Sequence, residues 1–187
     1  MVKATEILMQ EHRVIERVLT SLELAVERLE CGEKVEPDFF LDATDFIRGF
    51  ADGCHHHKEE GLLFKAMAAA GMPTDEGPIA VMLSEHDQAR AHTGMLASAA
   101  QRLRDGDAAA AISVIGAGRA YAALLREHIA KEDGVLLPMA AQVIPATRLP
   151  NVEQDFAAAV QDEERGGVPQ KYIALAEALE RRVGTLE

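Results

Sequence analysis

The sequence has few of the residues that build disulfide-bonded or aromatic-rich folds. It contains no tryptophan, 4% aromatic residues and two cysteines in 187 residues. Two cysteines are too few for a disulfide scaffold in a chain of this length, and no apolar segment typical of a secretion signal opens the sequence. No apolar run approaches the ~18–20 residues that span a bilayer. We therefore predict a cytoplasmic protein that is neither disulfide-rich nor embedded in a membrane.

Positive charge is also scarce. The 19 lysines and arginines stand against 31 aspartates and glutamates, which gives a formal net charge of −12. An acidic surface repels nucleic acid and anionic lipid, so we expect neither as a partner. The same surface attracts cations, but solubility explains most of this charge.

What the sequence does contain is a helical pattern of apolar residues. These recur every three or four residues in four long segments, as on one face of a helix. The four long helices and two shorter ones are predicted at approximately residues 4–30, 37–70, 78–104, 107–143, 152–163 and 170–183. Pro138 should kink or end the fourth helix. We predict an all-α, up-down four-helix bundle in residues 1–145, with a C-terminal helical extension in residues 146–187 packed on it.

Each of the four long segments carries a histidine within its apolar stripe. In the second and fourth segments a glutamate follows four residues later, which places both side chains on one helix face. These two segments share the frame H-x-x-K-E-[ED]-G followed by three apolar residues. The frame selects His55 with Glu59, while His56 with Glu60 has the same spacing and is the alternative. The inward-facing candidates are therefore His12, His55, Glu59, His86, His128 and Glu132.

Six ionisable side chains inside a bundle need partners, because burying them alone is costly. The apolar stripes contain no lysine or arginine that would pair with them. Imidazole and carboxylate groups suit iron, manganese or zinc. Four histidines and two carboxylates fit a pair of metal ions better than a single ion, with Glu59 and Glu132 each spanning both ions. The sequence therefore predicts a dinuclear metal site.

These residues resemble the hemerythrin-like family of HHE cation-binding domains. The resemblance covers roughly residues 8–140 and depends on four fragments together, EH at 11–12, HHHKEEGLLF, GPIAVMLSEHDQAR and LLREHIAKEDGVLLP. The sequence is most similar to the branch with four histidines and two glutamates, which implies that the six candidates hold two iron ions. Tyr121 lies seven residues before His128, hence on its face. It is a candidate neighbour or further ligand of the centre, although core packing is its simpler role.

The sequence departs from the oxygen-carrying hemerythrins at two positions. Those proteins have a second histidine in the third helix where this chain has Arg90. They also place a carboxylate five residues after the histidine of the fourth helix, a position that corresponds to Asp133, beside the preferred Glu132. These differences argue against simple reversible oxygen carriage.

The resemblance implies a non-haem di-iron protein that binds or senses O2 or NO, or handles iron, under oxidative or nitrosative stress. The alternative is a di-iron enzyme that reduces peroxide, O2 or NO at an open coordination position. A third hypothesis, a metal-free helical scaffold, leaves the buried histidines and glutamates unexplained. Iron is implied by the resemblance, because the ligand types alone also permit manganese or zinc.

Overall fold

The computed structural model describes residues 3–184 and confirms the predicted all-α fold, with no strand in that range. Six helices form, and we number them in chain order. They are α1 (Lys3–Glu30), α2 (residues 37–69), α3 (Gly77–Arg104), α4 (residues 110–143), α5 (Leu149–Arg165) and α6 (Val168–Arg182).

The first four helices form a closed ring. Each of α1 to α3 contacts the next helix in the chain, and α4 returns to contact α1. This arrangement is the predicted four-helix bundle. Within residues 3–184, no helix combines the length and the apolar character needed to cross a membrane.

Helices α2 and α4 each contain π-helical turns, which hold one residue more than an α-helical turn. In α2 the order is α-helical Pro37–Phe46, π-helical Ile47–His56, π-helical Glu59–Leu63 and α-helical Phe64–Ala69. In α4 the order is α-helical Ala110–Lys131, π-helical Glu132–Leu136 and α-helical Leu137–Val143. The two copies of the repeated frame therefore share a π turn that starts at the glutamate of the frame.

The fourth helix does not end at Pro138, and this corrects one alternative of the sequence prediction. It continues to Val143. Directly before the proline, the Leu137 N–H donates to the carbonyl of Glu132, five residues back. Because the π turn shifts the hydrogen-bonding register by one residue, we attribute the tolerance of Pro138, which has no N–H, to this turn.

The apolar core has two parts, and a layer of buried polar side chains separates them. On α1, Leu8 belongs to one part and Ile15 to the other, with His12 between them. The other three helices show the same order. Their flanking apolar residues are Ala51 and Leu63 on α2, Ala89 and Met82 on α3, and Leu125 and Leu136 on α4.

The two C-terminal helices pack on one side of the bundle. Helix α6 contacts α1 and α2, and α5 contacts α1, the second π turn of α2, and α6. Tyr172, Ala176 and Leu179 of α6 belong to the same apolar cluster as the adjoining residues of α1 and α2. Residues on either side of residue 145 thus share one core.

Gly49 allows α6 to approach α2 closely, and its replacement tests this contact. A Cβ atom at Gly49 would lie 1.7 Å from the hydroxyl oxygen of Tyr172 and 2.1 Å from its ring. We expect Gly49→Ala to lower the free energy of unfolding by about 1–3 kcal/mol, measured by urea denaturation, because the buried ring must move.

The matched control is Gly116→Ala in α4, where a Cβ would meet no atom within 4 Å. In a helix interior, this change should raise stability by about 0.5–1 kcal/mol. Equal effects of the two substitutions would show that α6 does not need the space at Gly49.

Candidate metal centre

The polar layer brings seven ionisable side chains together in the middle of the bundle. They include all six residues predicted from the sequence, and His56 in addition. Each is at most 2% exposed. The seven are His12 on α1, His55, His56 and Glu59 on α2, His86 on α3, and His128 and Glu132 on α4.

Their nitrogen and oxygen atoms form two overlapping groups with the dimensions of metal sites. Within each group, one potential ligand atom per residue lies within 4.8 Å of all the others. One group, called here the three-histidine group, consists of His56, His86, His128 and Glu59. The other, the two-histidine group, consists of His12, His55, Glu59 and Glu132. Glu59 is the one member that both groups share.

Every histidine of the cluster is held at Nδ1 by a carboxylate outside the cluster. These pairs are His12 with Asp133 (2.7 Å), His55 with Glu11 (3.0 Å), His56 with Asp52 (3.3 Å), His86 with Glu60 (2.7 Å) and His128 with Glu85 (2.9 Å). An ionised carboxylate only accepts hydrogen bonds, so each Nδ1 carries the proton and donates it. When such a ring is neutral, the lone pair of its Nε2 atom is available to the other members of the cluster or to a metal ion. This arrangement is typical of metal-binding histidines.

A further layer of positive charge surrounds these carboxylates. The ion pairs join Arg13 to Asp133, Lys58 to Glu11 (2.9 Å), Arg90 to Asp52 (2.9 Å) and Glu60 (2.7 Å), and Lys131 to Glu85. Lys58 is fully buried, at 0% exposure. The sequence stripes contain no lysine, and Lys58 was not expected in the interior. It lies outside the cluster and neutralises a carboxylate that holds a histidine.

The repeated sequence frame produces a repeated geometry. In both copies the lysine binds the carboxylate that holds the histidine of the same copy. Lys58 thus binds Glu11, which holds His55, and Lys131 binds Glu85, which holds His128.

A second repeated contact involves the acidic residue directly after the glutamate of each copy, which holds a histidine of another helix. Glu60 holds His86, and Asp133 holds His12. The pair α1–α2 and the pair α3–α4 are therefore two similar halves of one site.

His56 breaks the symmetry of these halves. In the gapless alignment of the two frames, its counterpart in α4 is Ile129. His56 stacks on His86, with ring centroids 3.9 Å apart, and joins the group that contains His128. The π-helical segment that ends at His56 widens the turn, which we consider the reason that two consecutive histidines face the same cluster. The sequence treated His55 and His56 as alternatives, whereas the structure brings both into the site.

The two central carboxylates have opposite protonation tendencies. Burial, followed by the charge of Glu132, raises the pKa of Glu59 well above its ordinary value. Burial also raises the pKa of Glu132, but hydrogen bonds with His12 and His128 outweigh it and hold that pKa well below normal. Without a cation between them, the two carboxylates resist being ionised together.

The pKa values of the histidines are also shifted in opposite directions. Burial lowers the pKa of His12, but its hydrogen bonds with Asp133 and Glu132 outweigh this effect and raise the pKa to about 10. Burial lowers the pKa of His56 to about 3, and burial followed by the charge of His12 lowers the pKa of His55 well below normal. The neutral forms of His55 and His56, which are the forms that bind metals, are therefore favoured.

Several atoms of the cluster have no adequate partner within the protein. Among the described residues, Nε2 of His56, both carboxylate oxygens of Glu59 and Oε1 of Glu132 are buried without a hydrogen bond. The Glu59 oxygens lie 3.3 and 3.4 Å from Nε2 of His55 and His86, close but without hydrogen-bond geometry.

The contact between His86 and His128 is unfavourable for two neutral rings. Their Nε2 atoms lie 3.2 Å apart, while the Nδ1 atom of each ring faces a carboxylate. With both protons on Nδ1, two lone pairs would face each other. A metal cation would accept the lone pairs of both nitrogens and of the unpaired carboxylate oxygens. The donor set therefore fits metal ions of the iron, manganese or zinc type.

Tyr121 lies beside the three-histidine group. It is 1% exposed, and its hydroxyl has no hydrogen-bond partner among the described residues. Burial, followed by the charge of Asp52, raises its pKa. Tyr121, His56, Asp52 and Arg90 all line a cavity of about 150 Å³ between α2, α3 and α4. This cavity has room for a few atoms of a small molecule next to the cluster.

Comparison with known proteins identifies the family. The sequence profile of the hemerythrin HHE cation binding domain matches residues 3–140. The chain therefore belongs to the hemerythrin HHE family, whose members bind metal cations.

Its curated relatives include an uncharacterized protein of Mycobacterium bovis and uncharacterized proteins of two Mycobacterium tuberculosis strains. Each is 28% identical over 163 residues, which cover 87% of this chain and 62% of the relative. The chain thus spans somewhat less than two thirds of the length of these relatives. No solved structure matches it.

Proposed function

We propose that the cluster holds two iron ions, one in the three-histidine group and one in the two-histidine group. Glu59 would be shared by both ions, Glu132 would be a further carboxylate ligand, and His12, His55, His56, His86 and His128 would bind through Nε2. The observation that carries this proposal is the convergence of buried nitrogen and oxygen atoms without partners on two overlapping centres. Manganese or zinc would fit the same donors, and iron is favoured by the family.

The difference between the groups indicates where a small molecule would bind. The two-histidine group has one histidine fewer, because Ile129 takes the place that corresponds to His56. A metal ion there would keep a coordination position for an external ligand. Bound iron would supply electrons and this open position. The protein would hold the imidazoles with Nδ1 protonated and keep bulk water from the centre.

The corresponding cellular role is binding or sensing of O2 or NO, or handling of iron, under oxidative or nitrosative stress. A diatomic ligand is small and uncharged, which agrees with a centre buried between two apolar cores. Enzymatic reduction of peroxide, O2 or NO is the alternative. We propose this role for the cytoplasm, as expected from the sequence.

A spectroscopic experiment separates binding from catalysis. Reduced, iron-loaded protein is mixed with O2 or NO in separate samples, and the visible spectrum and the remaining ligand are followed. A new absorption that persists, with one ligand consumed per site, is the expected result for a binding or sensing protein. With an excess of an electron donor present, continued consumption of O2, NO or added peroxide over many equivalents would contradict it in favour of the enzyme.

Tyr121→Phe is the matched variant for this experiment. Tyr121 lines the cavity beside His56 of the three-histidine group, whereas the open coordination position is proposed for the two-histidine group. The variant should therefore keep its metal content, because Tyr121 is not among the proposed ligands, and should release the small molecule at the wild-type rate. A changed release rate would mean that the small molecule binds in the cavity beside Tyr121 instead.

A further inference from the structure

The C-terminal extension reaches the metal centre through one buried ion pair. Lys58 is 0% exposed and contacts two carboxylates. Its Nζ atom lies 2.9 Å from Oε1 of Glu11 and 2.7 and 2.8 Å from the two oxygens of Glu163 on α5. The other oxygen of Glu11 holds Nδ1 of His55 at 3.0 Å. A continuous chain of contacts thus runs from α5 to a histidine of the two-histidine group.

Only one half of the site receives this contact. The counterpart of Lys58 is Lys131, which binds Glu85 but no other carboxylate in residues 3–184, and its side chain is 41% exposed. The two lysines occupy the same position in the repeated frame, so Glu163 is a second difference between the halves, in addition to His56. Glu163 also lies beyond residues 3–140, the part that matches the family profile.

We propose that Glu163 is a positioning residue for the two-histidine group, and that α5 is therefore part of the functional site. This inference rests on the proposed metal binding. With Glu163 present, Lys58 is shared between two carboxylates, and Glu11 keeps enough negative charge to orient and polarise the ring of His55. Without Glu163, the buried ammonium of Lys58 would bind Glu11 alone and draw it away from His55.

The test measures release of metal from the loaded, full-length protein to an excess of chelator. In Glu163→Gln, one metal equivalent should leave about 3–10-fold faster than in the wild type, since loss of an outer partner of a ligand typically costs 10–100-fold in affinity and Glu163 acts one contact further out. The second equivalent should leave at the wild-type rate.

The matched control is Glu164→Gln, which removes the same charge from the neighbouring, exposed residue of α5. It should release both equivalents as the wild type does. Release from the double variant Lys58→Met/Glu163→Gln should equal release from Lys58→Met alone, because Glu163 acts through Lys58.

Three outcomes separate the alternatives. Unchanged release from Glu163→Gln would overturn the inference. Equal acceleration of both equivalents would also overturn it, because the effect would then be a general loss of stability. A wild-type protein that binds no metal at all would instead refute the proposed function on which the inference depends.

Discussion

Replacing Glu59 with glutamine is expected to abolish retention of metal by both groups, with a loss of affinity greater than about 100-fold, the upper range found for outer partners of metal ligands. Glu59 is the one residue that both groups share. An amide has the same shape, but it carries no charge and offers a single oxygen. The measurement is metal content after gel filtration, combined with titration of the metal-free protein.

The metal-free form of this variant provides a second readout. Burial and the charge of Glu132 disfavour the ionised form of Glu59, so a neutral amide should cost the metal-free bundle little stability or even stabilise it. We therefore expect Glu59→Gln to fold normally and yet bind no metal. The control is Glu127→Gln, which changes an exposed glutamate of α4. If Glu59→Gln retained two ions, Glu59 would not be a bridging ligand.

Removal of metal is expected to cause the largest change in stability. A ligand present at a thousand times its Kd stabilises the folded state by about 4 kcal/mol, and 1 kcal/mol shifts the Tm of a chain of this size by about 2–4 °C. Treatment with a chelator should therefore lower the Tm by roughly 10 °C or more, measured by circular dichroism.

The helices themselves should persist after metal removal. Two apolar cores flank the cluster, and neither needs metal to bury its side chains. The far-ultraviolet circular dichroism spectrum at room temperature should therefore be nearly unchanged while the Tm falls. Glu59→Gln should show no chelator-dependent shift. An equal shift in wild type and variant would mean that the chelator acts elsewhere.

The fold could be predicted from the sequence because apolar periodicity reports directly on helix faces. His12, for example, lies between Leu8 and Ile15 at steps of four and three, and the structure places it between the two cores. The fourth helix was predicted to reach about residue 143, but the π turn before Pro138 could not be predicted. Prediction from apolar periodicity assumes a constant number of residues per helical turn, and this assumption fails at a π turn.

The same limitation affected the site. The frame shared by α2 and α4 pointed to His55 and Glu59, and both lie in the cluster. His56 was an alternative to His55 because a regular helix does not direct two consecutive side chains at one centre. Glu60 has the same spacing from His56, but in the structure it holds Nδ1 of His86 instead of facing the cluster.

The surrounding charges were harder to recognise. Lys58 and Lys131 stand at the same position of the repeated frame, so the repeat carried a signal for them. Their partners Glu11 and Glu85 belong to other helices, and such pairs depend on how the helices pack. The contact of Glu163 with Lys58 joins residues 105 positions apart, and no local pattern predicts it.

The most direct test of the central claim is the metal content of protein purified without added metal. Elemental analysis of the wild type, with Glu59→Gln prepared in parallel, gives the identity and the number of ions per chain. The account predicts two ions, mainly iron, one for each group of the cluster. A protein that carries no metal and does not bind added ferrous iron would contradict it.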